Sequence, residues 1–341
     1  MTIPDGYYER AATLEDAEPV AELTALASRA RGYPQDLRRE DVLALLSSPD
    51  FDRERSTRLV HLEDGTLVGA AYLYEPKTPV YPRLTVEVHP EHRDSGVERA
   101  LYAWGEDRAR EAVDRAPDGA RVAVRSAMPD ADRDAAALLG ELGFVPVRHF
   151  FRMVADFSGE TGARRLEQLP TAHEMPEDMT VRTYRHPADL EALIAAHEAT
   201  FRDHWGHVEE PHEYLLRRWK HRLESDPLFD PELFFLALTR GEGEIGGYCY
   251  CRIEEEGAPE FGYVAVLGVA PPYRRRGLGR ALLGHGLRAL YERGKRKVSL
   301  VVDGASLTGA TRLYEELGMQ VAHSFTVWEK ELRAGAELSR T

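Results

Sequence analysis

The sequence predicts two α/β (α+β) domains built to one plan, each a mixed sheet flanked by helices, and three observations lead there. The first is length: 341 residues exceed one ordinary domain, which commonly holds about 100–200. The second is a pair of motifs that occurs twice in the same order. Arg93 and Gly96 open a run leading into Arg99-Ala100-Leu101, and Arg274 and Gly277 open another leading into Arg280-Ala281-Leu282. Farther on, LLGELGF (Leu138 to Phe144) is answered by LYEELGM (Leu313 to Met319). The offsets are 181 and 175 positions, so the order is kept while the spacing drifts by six, as a duplication with a changed loop length leaves it. The third is the hydrophobic period, which alternates between strand-like and helix-like along the C-terminal half.

In that half, Val181 to Tyr184 alternates as a strand does, and Asp189 to Thr200 has helical spacing with Pro187 near its start. Phe234 to Thr239 and Ile245 to Ile253 read as strands joined by the turn Gly241-Glu242-Gly243. Tyr263 to Val269 is an apolar run that ends at Ala270-Pro271-Pro272. From Gly277 a helix begins, with Leu278, Leu282, Leu283, Gly286 and Leu290 on one face. Lys297 to Val302 is a strand, Gly309 to Leu317 a helix closed by Gly318, and Ser324 to Leu332 a last strand. Ser158 to Thr180 is polar and holds Pro170 and Pro176, which suits a linker. The expected division is therefore a domain over 1–157, a linker over 158–180, a domain over 181–333 and a tail over 334–341.

Composition narrows the function classes. Hydrophobic residues make up 43% and charged residues 30%, as in soluble folded chains. No stretch approaches the roughly 18 apolar residues that cross a bilayer, and MTIPDGYYER lacks the basic and apolar pattern of a secretory leader. A cytoplasmic protein without membrane partners is the expectation. A net charge of −14 argues against nucleic-acid binding, which needs a basic surface, and leans weakly toward a cationic acceptor such as an amine. Cys249 and Cys251 share one strand face, a position that rarely suits a disulfide, and neither has the partners of a metal site.

The segment from Val266 to Leu283, VLGVAPPYRRRGLGRALL, carries chemistry. A strand runs into a basic, glycine-containing turn that opens a helix. Free amides and the positive dipole end of a helix hold a pyrophosphate. Gly277 and Gly279 let the backbone approach it, and Arg274, Arg275 and Arg276 add positive charge. Taken alone, the pattern also fits an ordinary strand-turn-helix corner with solvated arginines.

That segment, followed by ATRLYEELGM, resembles the acetyl-CoA motif and the helix after it in the GNAT superfamily of acetyltransferases, among them its tandem-domain members. The resemblance covers Val181 to about Leu332 well and Tyr7 to about Phe157 loosely. It implies mostly antiparallel sheets, acetyl-CoA as co-substrate, a small-molecule amine as acceptor, and no metal. By it, the main chain of Leu267, Gly268 and Val269 meets the pantetheine arm, and Arg274 to Gly279, Leu278 included, surrounds the pyrophosphate. Tyr314 matches the tyrosine that protonates the departing thiolate as general acid. Its other reading is an aromatic packed on a helix.

The resemblance also has gaps. Leu307 stands where relatives often have Asn. Tyr263 stands where mycothiol synthases, themselves tandem proteins of this superfamily, carry Glu. Glu260 is then the carboxylate at hand for a general base, through one water, or else a solvated residue at a strand start. His204 and Trp205 follow the first helix of the C-terminal half, where relatives border the acceptor, and are either acceptor contacts or packing residues. In the N-terminal copy Asp94 replaces the second arginine, Glu98 replaces Gly279 and Leu139 replaces Tyr314. That copy is expected to be degenerate and to bind CoA weakly or not at all. Beside an N-acetyltransferase, two readings stay open: a mycothiol synthase-like enzyme and a non-catalytic CoA-binding regulator.

Overall fold

The computed structural model describes residues 3–35, 37–48, 50–170, 174–226, 228–241, 243–306 and 309–339. Leu307, Glu242 of the expected turn and residues 171–173 of the expected linker lie outside them. The chain forms two compact units, which are not its two halves. Unit 1 holds the chain up to Phe150 with 256–258 and His323–Leu338. Unit 2 holds Phe151–Glu255, Pro259–Ala322 and the residues from Ser339 onward.

Unit 1 starts with β1 (Tyr7–Arg10), α1 (Ala17–Ala30), α2 (Arg39–Leu46) and the single turn α3 (Arg53–Ser56). β2 (Thr57–Leu62), β3 (Leu67–Tyr74) and β4 (Arg83–Val88) form an antiparallel meander, and α4 (Val97–Arg110) crosses to β5 (Val122–Pro129). α5 (Arg133–Glu141) leads into β6 (Val145–Asp156), inside which the boundary between the units falls. Close packing of α4 on β3 and β4 needs Gly105, where a Cβ would lie 2.4 Å from the Leu84 methyls.

Unit 2 continues with α6 (Gly159–Glu167), β7 (Met179–Thr183), α7 (Leu190–Phe201) and α8 (His212–Ser225). Then come β8 (Phe234–Thr239), β9 (Ile245–Arg252), β10 (Phe261–Val269), α9 (Leu278–Glu292), β11 (Lys297–Asp303) and α10 (Ala310–Glu316). β7, β8, β9 and β10 pair antiparallel, and β10 pairs parallel with β11. Helices cover both faces, and the period of two along β9 shows how. Cys249 and Cys251 point into the core beneath α9, while Tyr248 and Tyr250 point into the core beneath α7 and α8. Both cysteines are free and buried, with their sulfurs 3.6 Å apart. Gly286 of α9 faces them, because a Cβ there would lie 2.8 Å from the Cys251 sulfur.

Two expectations about organisation change. The segment taken for a linker is folded from Ser158 to Pro170. It contains α6, and it packs on α9: a Cβ at Gly284 would lie 2.7 Å from Pro170, and Arg288 donates to the carbonyls of Leu166 and Leu169 at 3.2 and 3.1 Å. The last strand, β12 (Gln320–Arg333), does not complete the sheet of the second half. From His323 it belongs to unit 1, where Phe325 to Arg333 pair antiparallel with β5. Trp328 and Leu332 pack on that core. Arg121 reaches Glu329 and Glu331 at 2.6 and 2.8 Å, Arg125 reaches Glu329 at 2.8 Å, and Lys330 reaches Glu106 at 2.6 Å. The Arg333 guanidinium donates to the carbonyls of Ala120, Val113 and Pro117.

Unit 1 should therefore need the C-terminus of the chain. Removing residues 323–338 strips β5 of a paired neighbour and of the Arg125–Glu329 ion pair, and strips unit 1 of the pairs of Arg121 with Glu329 and Glu331 and of Lys330 with Glu106. Amide exchange across β5 is expected to become fast in the shortened chain, and retained protection there would contradict this account.

Candidate active site

The site grows from a defect in the unit 2 sheet. Between Val264 and Val266 the register of β10 against β9 slips by one, so Ala265 is an extra residue. A bulge bends its strand and sharpens its twist. The parallel pairing of β10 with β11 covers only Phe261–Tyr263 against Lys297–Ser299. Beyond these residues the strands part, and β10 runs on to Val269 with the edge facing β11 unpaired.

The chain then makes a turn through Pro271–Tyr273 and enters α9. Gly277 is the N-cap in the left-handed region, φ +81°, and Arg275 is also left-handed at φ +61°. Arg275 is the only residue other than glycine with positive φ among the described residues. Strain of this kind gathers where a loop is held ready for a ligand. Alternating left- and right-handed residues turn successive amides to one side and make an anion-binding nest. None of the amides from Arg275 to Gly279 has a main-chain acceptor among the described residues.

A cavity of about 610 Å³ opens here. Of the residues expected from the sequence, Leu267, Val269, Arg274, Arg275, Gly277, Leu278, Gly279, Tyr314 and His204 line it. Gly268 does not, because it packs on the other face: a Cβ there would lie 2.9 Å from Tyr248 and 3.0 Å from Thr200. Trp205 and Tyr263 are half-buried outside the lining. Tyr263 pairs with Ser299 and Arg252 and so shares their sheet face.

Glu260 is exposed in the turn before β10, seven residues and roughly 20 Å along the strand from Leu267. It is not placed to act as base in this cavity. A buried carboxylate nearby, Glu255, is fully engaged by Arg152 at 2.8 Å and by the Ser299 hydroxyl at 2.6 Å. Sequence reasoning passed over Thr200, Asp203, Arg280 and Arg312, which also line the cavity. Arg280 and Arg312 lie within the two motifs themselves, so proximity to them was the available signal.

The arginines of the turn have different tasks. Arg274 donates from Nε to the Val269 carbonyl at 3.0 Å and from Nη2 to the Thr200 carbonyl at 2.7 Å, and its fork grips Asp203. Arg276 reaches out to Asp178 at 2.6 Å and does not line the cavity. Arg275 makes no ion pair among the described residues, and its charge is free for an anion.

Tyr314 is 7% exposed and packs in the core under α9 and α10. Burial pushes its phenol above the ordinary range and keeps it protonated. Burial lowers His204, with the Asp203 carboxylate 3.2 Å away working against that shift, so the imidazole leans neutral.

The matching place in unit 1 is filled by protein. Gly96 repeats the left-handed N-cap at φ +88°. Glu98 then turns inward to Arg31 at 3.2 Å and Arg93 at 3.5 Å. Arg31 also meets Glu87 at 2.7 Å and Asp132 at 3.2 Å, and Asp132 binds Arg93 at 2.8 Å. Arg31, Glu98 and Asp132 are all buried. Leu139, at the position of Tyr314, is buried in the apolar core.

The wall beside the cavity carries its own pH dependence. His197 of α7 is held 2.5 Å from the Tyr248 hydroxyl, and burial lowers it to about 4. Its ordinary value is near 6.5, so between these limits the unfolded chain binds the extra proton. The stabilisation is whole above pH ~6.5 and is lost as pH falls toward about 4, amounting to roughly 3 kcal/mol. Denaturant unfolding of the protein and of His197→Phe across this range should show the parent losing more stability on acidification. Parallel curves would rule the assignment out.

Comparison with known proteins accords with this geometry. The model of the acetyltransferase (GNAT) family matches twice, over residues 20–144 and 190–319. A mycothiol acetyltransferase of Thermobispora bispora is 34% identical over 92% of this chain and 93% of its own. One from Streptomyces bingchenggensis is 34% identical over 93% and 91%. A crystal structure of a GCN5-related N-acetyltransferase from Sphaerobacter thermophilus aligns over 100% of both chains with a TM-score of 0.80 and 32% identity. A tandem GNAT protein from the clavulanic acid pathway shares the fold at a TM-score of 0.73 and 16% identity, over 97% of this chain and 100% of its own. The chain belongs to the acetyltransferase (GNAT) family, carries the family's domain twice, and is an acetyl-CoA-dependent N-acetyltransferase.

Proposed function

We propose that the transferase site is the unit 2 cavity and that it acetylates the amine of a small molecule. The observation that carries this is the coincidence, in one cavity, of the amides of Arg275 to Gly279 without a main-chain acceptor and the Arg275 guanidinium without an ion pair, both among the described residues, with the buried Tyr314 phenol. Acetyl-CoA supplies an activated acyl thioester, whose carbonyl the acceptor amine attacks as the CoA thiolate departs. The amides of Arg275 to Gly279 hold the diphosphate with the dipole of α9 behind them. The open edge of β10 at Leu267 and Val269 faces the arm, and Tyr314 meets the leaving sulfur. Among the described residues, Asp203 and Glu316 are the carboxylates that line the cavity, and Glu316 meets Arg312 at 3.1 Å. Asp203 is committed to Arg274, so the neutral His204 imidazole is the better-placed proton acceptor.

A mycothiol-related acceptor is the second reading, supported by the names of relatives near one-third identity. Tyr263, in the place of a Glu of the mycothiol enzymes, speaks against it. Release of CoA thiol on mixing acetyl-CoA with a panel of small amines, the mycothiol precursor among them, decides between the two. No release with any amine of the panel would overturn the small-amine reading of the acceptor.

Gly279→Glu copies the Glu98 of unit 1 into the working loop. The fold should accept it, since a Cβ at Gly279 meets Val269 and Leu313 only at 3.4 and 3.6 Å. The carboxylate then faces the diphosphate, and acetyl-CoA affinity should fall by about a hundredfold or more at low salt. Calorimetry showing unchanged affinity would place the diphosphate elsewhere.

Tyr314→Phe should lower kcat by about tenfold to a hundredfold while acetyl-CoA affinity stays nearly constant, because the hydroxyl acts on the leaving group. A parallel loss of affinity in the calorimeter would make the residue a packing element instead.

A further inference from the structure

We propose that Arg274 is not a phosphate ligand but a positioning residue, a clasp that fixes the segment Thr200–His204 to the phosphate loop, so that acetyl-CoA binding and the acceptor-side wall are set together. The proposal rests on the reading of the unit 2 cavity as the acetyl-CoA site. Sequence logic counts three arginines toward the diphosphate. The geometry separates them, and Arg274 has its donors spent: Nε on the Val269 carbonyl, Nη2 on the Thr200 carbonyl, and both terminal nitrogens on Asp203.

The three acceptors come from two places in the chain. Val269 is the last residue of β10, at the edge of the unpaired stretch. Thr200 and Asp203 end α7 and start the segment that carries His204 into the cavity. A carbonyl at the C-terminal end of a helix has no intrahelical partner, and a guanidinium satisfies it well. The fork geometry lets one side chain do this and hold a carboxylate as well. Arg275, next in the chain, has the left-handed backbone and no ion pair among the described residues, so the phosphate task falls to it.

The opposing hypothesis predicts the opposite sign at a residue that touches no phosphate. If Arg274 served the diphosphate, Asp203→Asn would release it from a competing carboxylate, and acetyl-CoA would bind as well as before or more tightly. If Arg274 is the clasp, Asp203→Asn loosens the loop, and acetyl-CoA affinity falls by about two- to fivefold, the scale of a half-exposed ion pair. Arg274→Ala then falls in the same direction, and the double variant is no worse than Arg274→Ala alone. Arg274→Lys, which keeps the charge but not the fork, restores little.

The experiment titrates acetyl-CoA into the four variants and the parent chain by calorimetry. It also follows tryptic cleavage after the exposed Arg202, with and without acetyl-CoA. The expected result is protection of Arg202 by acetyl-CoA in the parent, lost in Asp203→Asn. Asp203→Asn binding acetyl-CoA as tightly as the parent, or additive losses in the double variant, overturns the clasp while leaving the acetyl-CoA site standing. Absence of binding to the parent chain overturns both. Asp203 is half-exposed, so its replacement by Asn leaves the fold intact.

Discussion

The parallel pairing of Phe261–Tyr263 with Lys297–Ser299, which stops after three residues, is the constraint around which unit 2 is arranged. A strand edge with unpaired amides and carbonyls inside a protein is costly unless something satisfies it. The Ala265 bulge produces that edge by turning the second half of β10 away from β11. The strand leaves the bulge aimed at the turn where Arg275 and Gly277 take left-handed conformations. Cleft and anion cradle are therefore consequences of one register slip. Under the proposed function, the arm of acetyl-CoA would lie along the first while its diphosphate would sit in the second.

The two units show what that arrangement tolerates. Both have a left-handed glycine before the crossover helix and parallel strands that barely pair; in unit 1 only Arg83 meets Arg125. In unit 1 the cradle closes on itself through Arg31, Arg93, Glu87, Glu98 and Asp132. Two positive and three negative side chains in one buried place adapt badly to a dianionic guest, and removing one partner strands another charge. Glu87 registers the imbalance, because burial pushes its carboxyl upward while Arg31 opposes the shift. Glu98 thus acts less by repelling a ligand from a free site than by filling the site.

The legible and illegible parts of the sequence divide along local and non-local physics. β8 spans Phe234–Thr239, as alternation and the flanking turn predict, and the helix starting after Gly277 and the glycine stop at Gly318 are where local rules put them. The anion loop was legible because its chemistry is contiguous. The partner of β12 was not: a period of two reports which face of a strand is apolar, but not which neighbour it pairs with. The Ser158–Pro170 segment reads as a linker because it is polar and holds Pro170, yet Leu166 and Leu169 pack on the unit 2 core and Gly284 of α9 lets Pro170 approach closely. Glu260 is the carboxylate nearest the loop in the sequence, but the rise of an extended strand carries it out of the cavity. Charge on Arg274 was visible, but the direction of its side chain depends on Thr200 and Asp203, more than 70 positions away.

The burial of Tyr314 bears on how it would serve a leaving thiolate in the proposed site. A free thiol titrates near ~8.5 and a phenol near ~10, so a phenol pushed still higher is a poor donor of a whole proton to sulfur. A hydrogen bond does not require that transfer. A neutral donor already fixed by the packing of α10 stabilises charge as it grows on the sulfur, with no reorganisation at the moment of reaction. The same burial makes the phenolate costly, so the hydroxyl stays a donor across the working pH range. The surroundings of Tyr314 therefore suit an electrostatic role in the proposed reaction, a neutral hydroxyl donating to the departing sulfur, better than complete transfer of its proton.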